Sequence, residues 1–281
     1  MWSNFHTHSA FCNGKSSFLE HLSKAEELGV KSLGFSSHAH ISFDCKWCMK
    51  KDQLEEYLKS IDSLKKQSEI QLYRGLEVDF IPNVISPSDF SSLLDYTIGS
   101  VHFVDAFSDG RHWEIDGLHT VFLDGLENIF ANDHQAAFSR YFELTREMVS
   151  TSPPTVVGHL DKMKIQNVNH KFFREDEPWY KSEIEKTLQT IKLSDCIIEV
   201  NTRGIYQRKT ADTYPSPWIL EQIHEANIPI TLSSDAHHAD DLINQFEATA
   251  RLLLGVGFKK LNILFDGEWK AFNFSEKGIV F

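Results

Sequence analysis

Trp2-Ser3-Asn4-Phe5-His6-Thr7-His8 decides how the rest of the chain reads. It is a short apolar-led run ending on two imidazoles at i and i+2, so on a strand both rings point to one face. The pattern returns along the chain, each time as a strand-like run that carries or meets a potential metal ligand. Ser32 to Ser36 runs into His38, Leu72 to Asp79 carries Glu77, and Tyr96 to Phe103 carries His102. Thr155 to Gly158 precedes His159, and Ile230 to Ser234 precedes Asp235 and His237. Parallel strands bring such scattered ligands to one shared face, as the carboxyl end of a (β/α) barrel does. So many donors hold more than one divalent cation, which points to a multi-metal hydrolase.

Between these runs the period changes to that of helices. Phe18 to Leu28 opens with the capping box Ser17-Phe-Leu-Glu20 and stops at Gly29. Asp52 to Gln67 places Leu54, Tyr57, Leu58, Ile61 and Leu64 on one face. Further helices are expected at Phe138 to Met148, Trp179 to Leu193, Trp218 to Ala226 and Leu242 to Leu254, with strands at Cys196 to Asn201 and Leu261 to Phe265. Asp105 to Asp133 has weak periodicity and reads as a long loop over the site. Strands alternating with helices imply a parallel sheet, and the polar residues at the strand ends favour one α/β barrel-like domain over residues 1–281.

Composition narrows the function. The 281 residues are 41% hydrophobic and 24% charged, an ordinary globular balance. A formal net charge of −12 argues against nucleic-acid binding. No apolar run is long enough to span a membrane, and the first residues lack the pattern of a secretory signal, so the expected location is cytoplasmic. The four cysteines do not make a disulfide framework, and Cys45 and Cys48 read as two unremarkable thiols in a loop.

The ligand types define the chemistry. Paired imidazoles at His6 and His8 suit Zn, Fe or Mn. Glu77 and Asp79 share a strand face; Glu77 is expected to bridge two cations, with Asp79 behind it or in the substrate pocket. His102 and His159 each follow a glycine near the end of a β-rich run, and His38 is a candidate for a third metal. His40 and His238 read as adjacent decoys.

On these residues the chain resembles the PHP (polymerase and histidinol phosphatase) superfamily. Within it, Gly75-Leu-Glu-Val-Asp79, Gly99-Ser-Val-His-Phe103, Trp113-Glu-Ile-Asp-Gly117, Gly158-His-Leu-Asp161, Glu199-Val-Asn-Thr202 and Tyr214-Pro-Ser-Pro217 resemble the histidinol-phosphatase branch. The resemblance implies a distorted (β/α)7 TIM-like barrel, two or three divalent ions, and hydrolysis of L-histidinol phosphate in histidine biosynthesis. It implies one metal on His6, His8, Glu77 and Asp235, and a second on Glu77, His102 and His159. A third would use His38, His237 and Asn13. Asn13 departs from the Asp or His often found there, and Ser37-His38 stands where many relatives read Asp-His; both remove negative charge from the third site.

No protein nucleophile is evident, so a metal-bridging hydroxide is the expected attacking group, with Glu77 and Asp235 holding its metals. Arg203, Arg208 and Lys162 are candidates to grip the phosphoryl oxygens, and Asp161 to protonate the leaving group. Rival readings are a phosphoesterase for another small ester such as a nucleotide, a polymerase-associated exonuclease, and a metal-binding domain without catalysis.

Overall fold

The computed structural model describes residues 1–281. In chain order its strands are β1 (Ser3–Asn4), β2 (Ser32–Phe35), β3 (Gln71–Asp79), β4 (Tyr96–Ser100), β5 (Phe103–Ala106), β6 (His112–Glu114), β7 (Val156–Val157), β8 (Ile197–Asn201), β9 (Ile230–Ser233), β10 (Lys260–Phe265), β11 (Glu268–Ser275) and β12 (Gly278–Ile279). Its helices are α1 (Phe18–Glu27), α2 (Leu54–Lys65), α3 (His119–Asn128), α4 (His134–Thr151), α5 (Pro178–Lys192), α6 (Arg203–Tyr206), α7 (Pro217–Glu225) and α8 (Phe246–Val256).

Seven parallel strands lie in the order β1-β2-β3-β4-β7-β8-β9. Past the ends of β1 and β9, Thr7 bridges Ala236 in parallel, and the N–H groups of His8 and Ala236 donate to Ala236 and His6 carbonyls. The sheet is thus a nearly closed, distorted (β/α)7 barrel, as expected. Its short strands are buried along both faces, which is why they read as apolar runs and not as an alternation. Tyr96 plugs the barrel interior. Its hydroxyl donates to the Phe5 carbonyl at 2.6 Å, and a Cβ on Gly34 would lie 2.2 Å from that hydroxyl and one on Gly75 2.3 Å from the ring's Cζ.

Register sets the height of the ligands. Glu77 pairs with Ile98, two residues before the end of β4, and His38 bridges back to Glu77 just beyond β2. The ligand-bearing segments therefore finish at one level, the carboxyl rim. Helix α1 forms as expected: Ser17 accepts from the Glu20 N–H, the Glu20 side chain accepts from the Ser17 N–H, and Phe18, Leu22 and Ala25 face inward.

Five expectations need correction. Trp2 to His8 is strand only at Ser3–Asn4 plus the bridge at Thr7, because the two histidines turn inward from the rim. Asp105 to Asp133 is not one loop: it holds the end of β5, β6 and α3, and buries Trp113 and Phe122 completely. Gly125 is the sequence sign of that packing, since a Cβ there would meet the Trp113 indole at 2.1 Å. Helix α8 begins at Phe246 and not at Leu242, because Gln245 sits at φ 67°, outside the helical region. Cys45 and Cys48 are joined as a disulfide. The strand at Leu261–Phe265 exists, but pairs antiparallel with β11 in a separate three-stranded sheet. No helix is long and apolar enough to cross a membrane.

Candidate metal centre

Glu77 stands at the middle of the rim, and its two oxygens face different imidazoles. Oε1 lies 2.9 Å from His159 Nε2 and 3.6 Å from His102 Nε2, and accepts from the Ser100 hydroxyl at 2.7 Å. Oε2 lies 3.2 Å from His6 Nε2, 3.4 Å from His8 Nε2 and 3.0 Å from His38 Nδ1. Burial alone would raise the Glu77 pKa; His38 and His6, with the hydrogen bond from His159, outweigh it and hold the carboxyl well below its usual range. The two oxygens thus face separate sets of imidazoles.

Asp235 completes the inner set. Its Oδ1 is 3.2 Å from His8 Nε2, 3.8 Å from His6 Nε2 and 3.4 Å from His237 Nδ1. Asp235 holds φ 52°, a left-handed conformation uncommon for a non-glycine residue and kept here by its surroundings. Burial opposes its charge, but His6 and Arg203 keep its carboxyl well below the usual value.

Potential ligand atoms gather in three groups: His6, His8 and Asp235; His38, Glu77 and His102; His8, His38 and His237. In the last, His8 stands beside the expected pair His38 and His237, while Asn13 lines the same cavity. The donors fit resident cations on an observation of their own. His6 Nε2, His8 Nε2, His38 Nδ1 and Asp235 Oδ1 are buried without a hydrogen-bond partner. An unmet buried polar atom costs about 1–3 kcal/mol, so a cluster of them facing carboxylates marks a place for ions.

A second layer holds the first. Glu199, fully buried in the middle of β8, accepts from His6 Nδ1 at 2.6 Å and from the His159 backbone N–H at 2.8 Å. Asp79 accepts from His102 Nδ1 at 2.9 Å and from its N–H at 3.1 Å. Both turn the ring's other nitrogen toward Glu77. Burial works against their charged forms, yet Glu199, Asp235 and Glu77 raise the His6 pKa well above its usual value, and Asp79 and Asp116 push His102 to about 10. His8 is driven well down by burial and by His237 and His38.

A cavity of about 190 Å³ opens over these groups, lined among others by Trp47, Glu114, Asp116, Lys162, Arg203 and Lys209. Arg203 donates to the Asp235 carbonyl at 2.7 Å and to His237 Nδ1 at 2.6 Å. Lys162 Nζ stands 3.7 Å from Asp235 and 3.9 Å from Asp116, beyond hydrogen-bond range of either and open to a ligand.

Two expected site residues, Asp161 and Arg208, lie off the cavity, and Asp79 stands behind the ligands. Asp161 is fully buried outside the cavity lining; its Oδ2 accepts from Lys164 Nζ at 2.9 Å and from the Ser216 N–H and hydroxyl at 3.0 Å. Asp79 takes the first of its two expected places, behind the ligands on His102, and does not line the cavity. Arg208 is exposed and outside it, at φ 55°, and its neighbour Lys209 occupies the wall instead. The roles of Glu199, Glu114, Asp116, Lys209 and Trp47 were not read from the sequence. Glu199 within an apolar β-rich run, and Glu114 and Asp116 within Trp113-Glu-Ile-Asp-Gly117, were the signals that could have been used.

The PHP domain family model matches residues 4–203. A "Probable histidinol-phosphatase" of Deinococcus radiodurans is 26% identical over 265 residues, covering 90% of this chain and 92% of its own length. The "Histidinol-phosphatase" of Bacillus subtilis is 25% identical, covering 86% of this chain and 96% of its own. Among solved structures, the histidinol phosphate phosphatase of Lactococcus lactis, complexed with Zn, L-histidinol and phosphate, superposes with a TM-score of 0.67. That likeness spans 99% of this chain and 98% of the other at 20% identity, and so bears on fold alone.

Proposed function

The chain belongs to the PHP domain family, and from that premise we propose that it is a metal-dependent phosphomonoesterase whose substrate is L-histidinol phosphate. The observation that carries the reading is Glu77, whose two oxygens face separate imidazole groups with unpaired buried atoms around them. Its two near full-length relatives bear the histidinol-phosphatase name, which supports the substrate. Two or three divalent ions, zinc among the candidates, would be held by His6, His8, Glu77 and Asp235; by Glu77, His102 and His159; and by His38, His237 and His8 or Asn13. When bound, such ions polarise phosphoryl oxygens and lower the pKa of water to about 7.

The chain's own groups supply the rest. Arg203 is already oriented by its bonds to the Asp235 carbonyl and His237, so its remaining N–H groups reach a phosphate without further ordering. Lys162 and Lys209 add positive charge on the same wall. Transfer of a phosphoryl group depends mainly on such placed charge, because its equatorial oxygens carry the negative charge of the transition state. Opposite in sign, Glu114 and Asp116 face the cavity where a cationic leaving group would be received. Asp116 replaces Asp161 as the candidate to deliver a proton to the departing oxygen, since it lines the cavity and Asp161 does not.

The test is a phosphate-release panel beside elemental analysis of the purified protein. Turnover of L-histidinol phosphate far above that of nucleotides, with two to three metals per chain (about), is the expected result. Preference for a nucleotide would move the reading to a different phosphoesterase, and bound metal without turnover would refute catalysis.

A further inference from the structure

Residues 40–48 cross the mouth of the cavity between β2 and α2 without one backbone–backbone hydrogen bond. Yet this segment carries Trp47, which lines the cavity. The Trp47 ring packs edge-on to His38 and His102, with centroids 4.5 and 5.4 Å away, and lies flat on Phe103 at an interplanar angle of 11°. Its indole N–H donates to Glu114 Oε1 at 2.9 Å. The cross-link between Cys45 and Cys48 brackets Lys46 and Trp47. A stretch with no backbone pairing has no ladder to hold it against the conformational entropy of a free loop. Its fasteners are ring contacts, the Glu114 bond and the covalent closure.

We propose that Trp47 is a specificity-determining residue, and that the Cys45–Cys48 disulfide fastens it in place. Trp47 forms the apolar wall of the leaving-group side and fixes the carboxylate of Glu114 toward the cavity. When a dithiol or phosphine reductant opens the cross-link, the disulfide takes up two electrons and two protons to give two thiols, and the reductant is oxidised in balance. The freed segment then releases Trp47, the Glu114 carboxylate loses its N–H partner, and recognition of a cationic leaving group weakens. The phosphate side, built by Arg203, Lys162 and Lys209 on other segments, stays as it was. This inference rests on the phosphomonoesterase reading given above.

The experiment compares wild type, wild type treated with a phosphine reductant and then freed of it, Cys45→Ser/Cys48→Ser, and Trp47→Phe. Each is assayed with L-histidinol phosphate and with p-nitrophenyl phosphate, a phosphomonoester lacking the ammonium and imidazole. Alkylation of denatured, unreduced wild type followed by mass measurement should label two cysteines, Cys12 and Cys196, and four after reduction. For reduced wild type and both variants the KM for L-histidinol phosphate should rise about tenfold, as expected for one lost oriented contact. For reduced wild type and the serine variant, turnover of p-nitrophenyl phosphate should change less than about twofold, which also certifies the fold and the metal centre. Four labelled cysteines in the unreduced protein, an unchanged KM in the serine variant, or equal losses on both substrates would each overturn the proposal. If wild type hydrolyses neither ester, it is the phosphomonoesterase reading that fails.

Discussion

Glu199→Gln separates a residue that orients ligands from one that holds cations. The carboxylate of Glu199 accepts from His6 Nδ1 at 2.6 Å and from the His159 N–H at 2.8 Å, and Asn201 Nδ2 lies 3.1 Å from it. All of these groups donate. A glutamine amide has one acceptor oxygen, so it can serve His6 or His159 but must turn its NH2 toward another donor. A bond to a charged acceptor is worth about 1.5–3 kcal/mol and a neutral one about 1 kcal/mol. Losing one outright and weakening the other removes about 2–5 kcal/mol of local stabilisation. Part of this appears as lost stability and the rest as misaimed His6 and His159, for which metal affinity should fall about 10–100-fold. Affinity is read by competition for zinc with a chromophoric chelator, and turnover is read as a function of added metal. Glu199→Gln should need more metal but recover most of its activity at saturation. Glu77→Gln should not recover, since the neutral amide cannot serve two imidazole groups with two anionic oxygens. If saturating metal restores both variants equally, or Glu199→Gln binds zinc like wild type, the division into holding and orienting layers is wrong.

The remaining predictions concern the wall, the excluded acid and an unused histidine. Lys209→Ala should raise the KM for a phosphomonoester about tenfold, while Arg208→Ala, exposed and outside the cavity, should leave both kinetic constants within about twofold. Asp161→Asn leaves the buried Lys164 ammonium without its carboxylate, so urea denaturation should show a loss of about 3–5 kcal/mol with kcat of the folded fraction little changed; a collapsed kcat at full stability would restore Asp161 as the acid. Burial lowers the His21 pKa from 6.5 to about 4, and its Nε2–H donates to the His8 carbonyl while Nδ1 has no partner to receive a proton. The folded state therefore binds fewer protons than the unfolded chain between these values. The contribution is present above pH 6.5 and is lost as pH falls toward 4, up to about 3 kcal/mol. In denaturation profiles of the metal-free protein, wild type should lose this stability relative to His21→Gln over that window; a constant separation would refute it.

What could be read in the sequence divides along a physical line. Ligands on or just after strands were legible because a strand's alternation and its end fix direction: His6 and His8, Glu77, His102, His159 and Asp235 all meet at the rim. Asp161 looked equivalent, two residues past His159 in the same motif, but the chain there enters a short 3-10 turn that carries its carboxyl away to Lys164 and Ser216. Arg208 was expected on the wall, but it sits just past α6 in a left-handed conformation that no periodicity records, and Lys209 lines the cavity. The β5–β6 hairpin was hidden for a related reason. Its strands are short, and Trp113 is buried by α3 rather than by a partner strand, so the local pattern looks like loop until Gly125 is seen to make room for the indole. Residues that act through tertiary contact, Trp47 above all, leave no local signal. The Trp47 ring is placed by contacts with His38, His102 and Phe103 and by the bond to Glu114, all distant in sequence or outside any strand or helix period. A cage assembled by strand register is therefore readable from one sequence, whereas the wall that selects what enters it is written in loop conformation and must be seen.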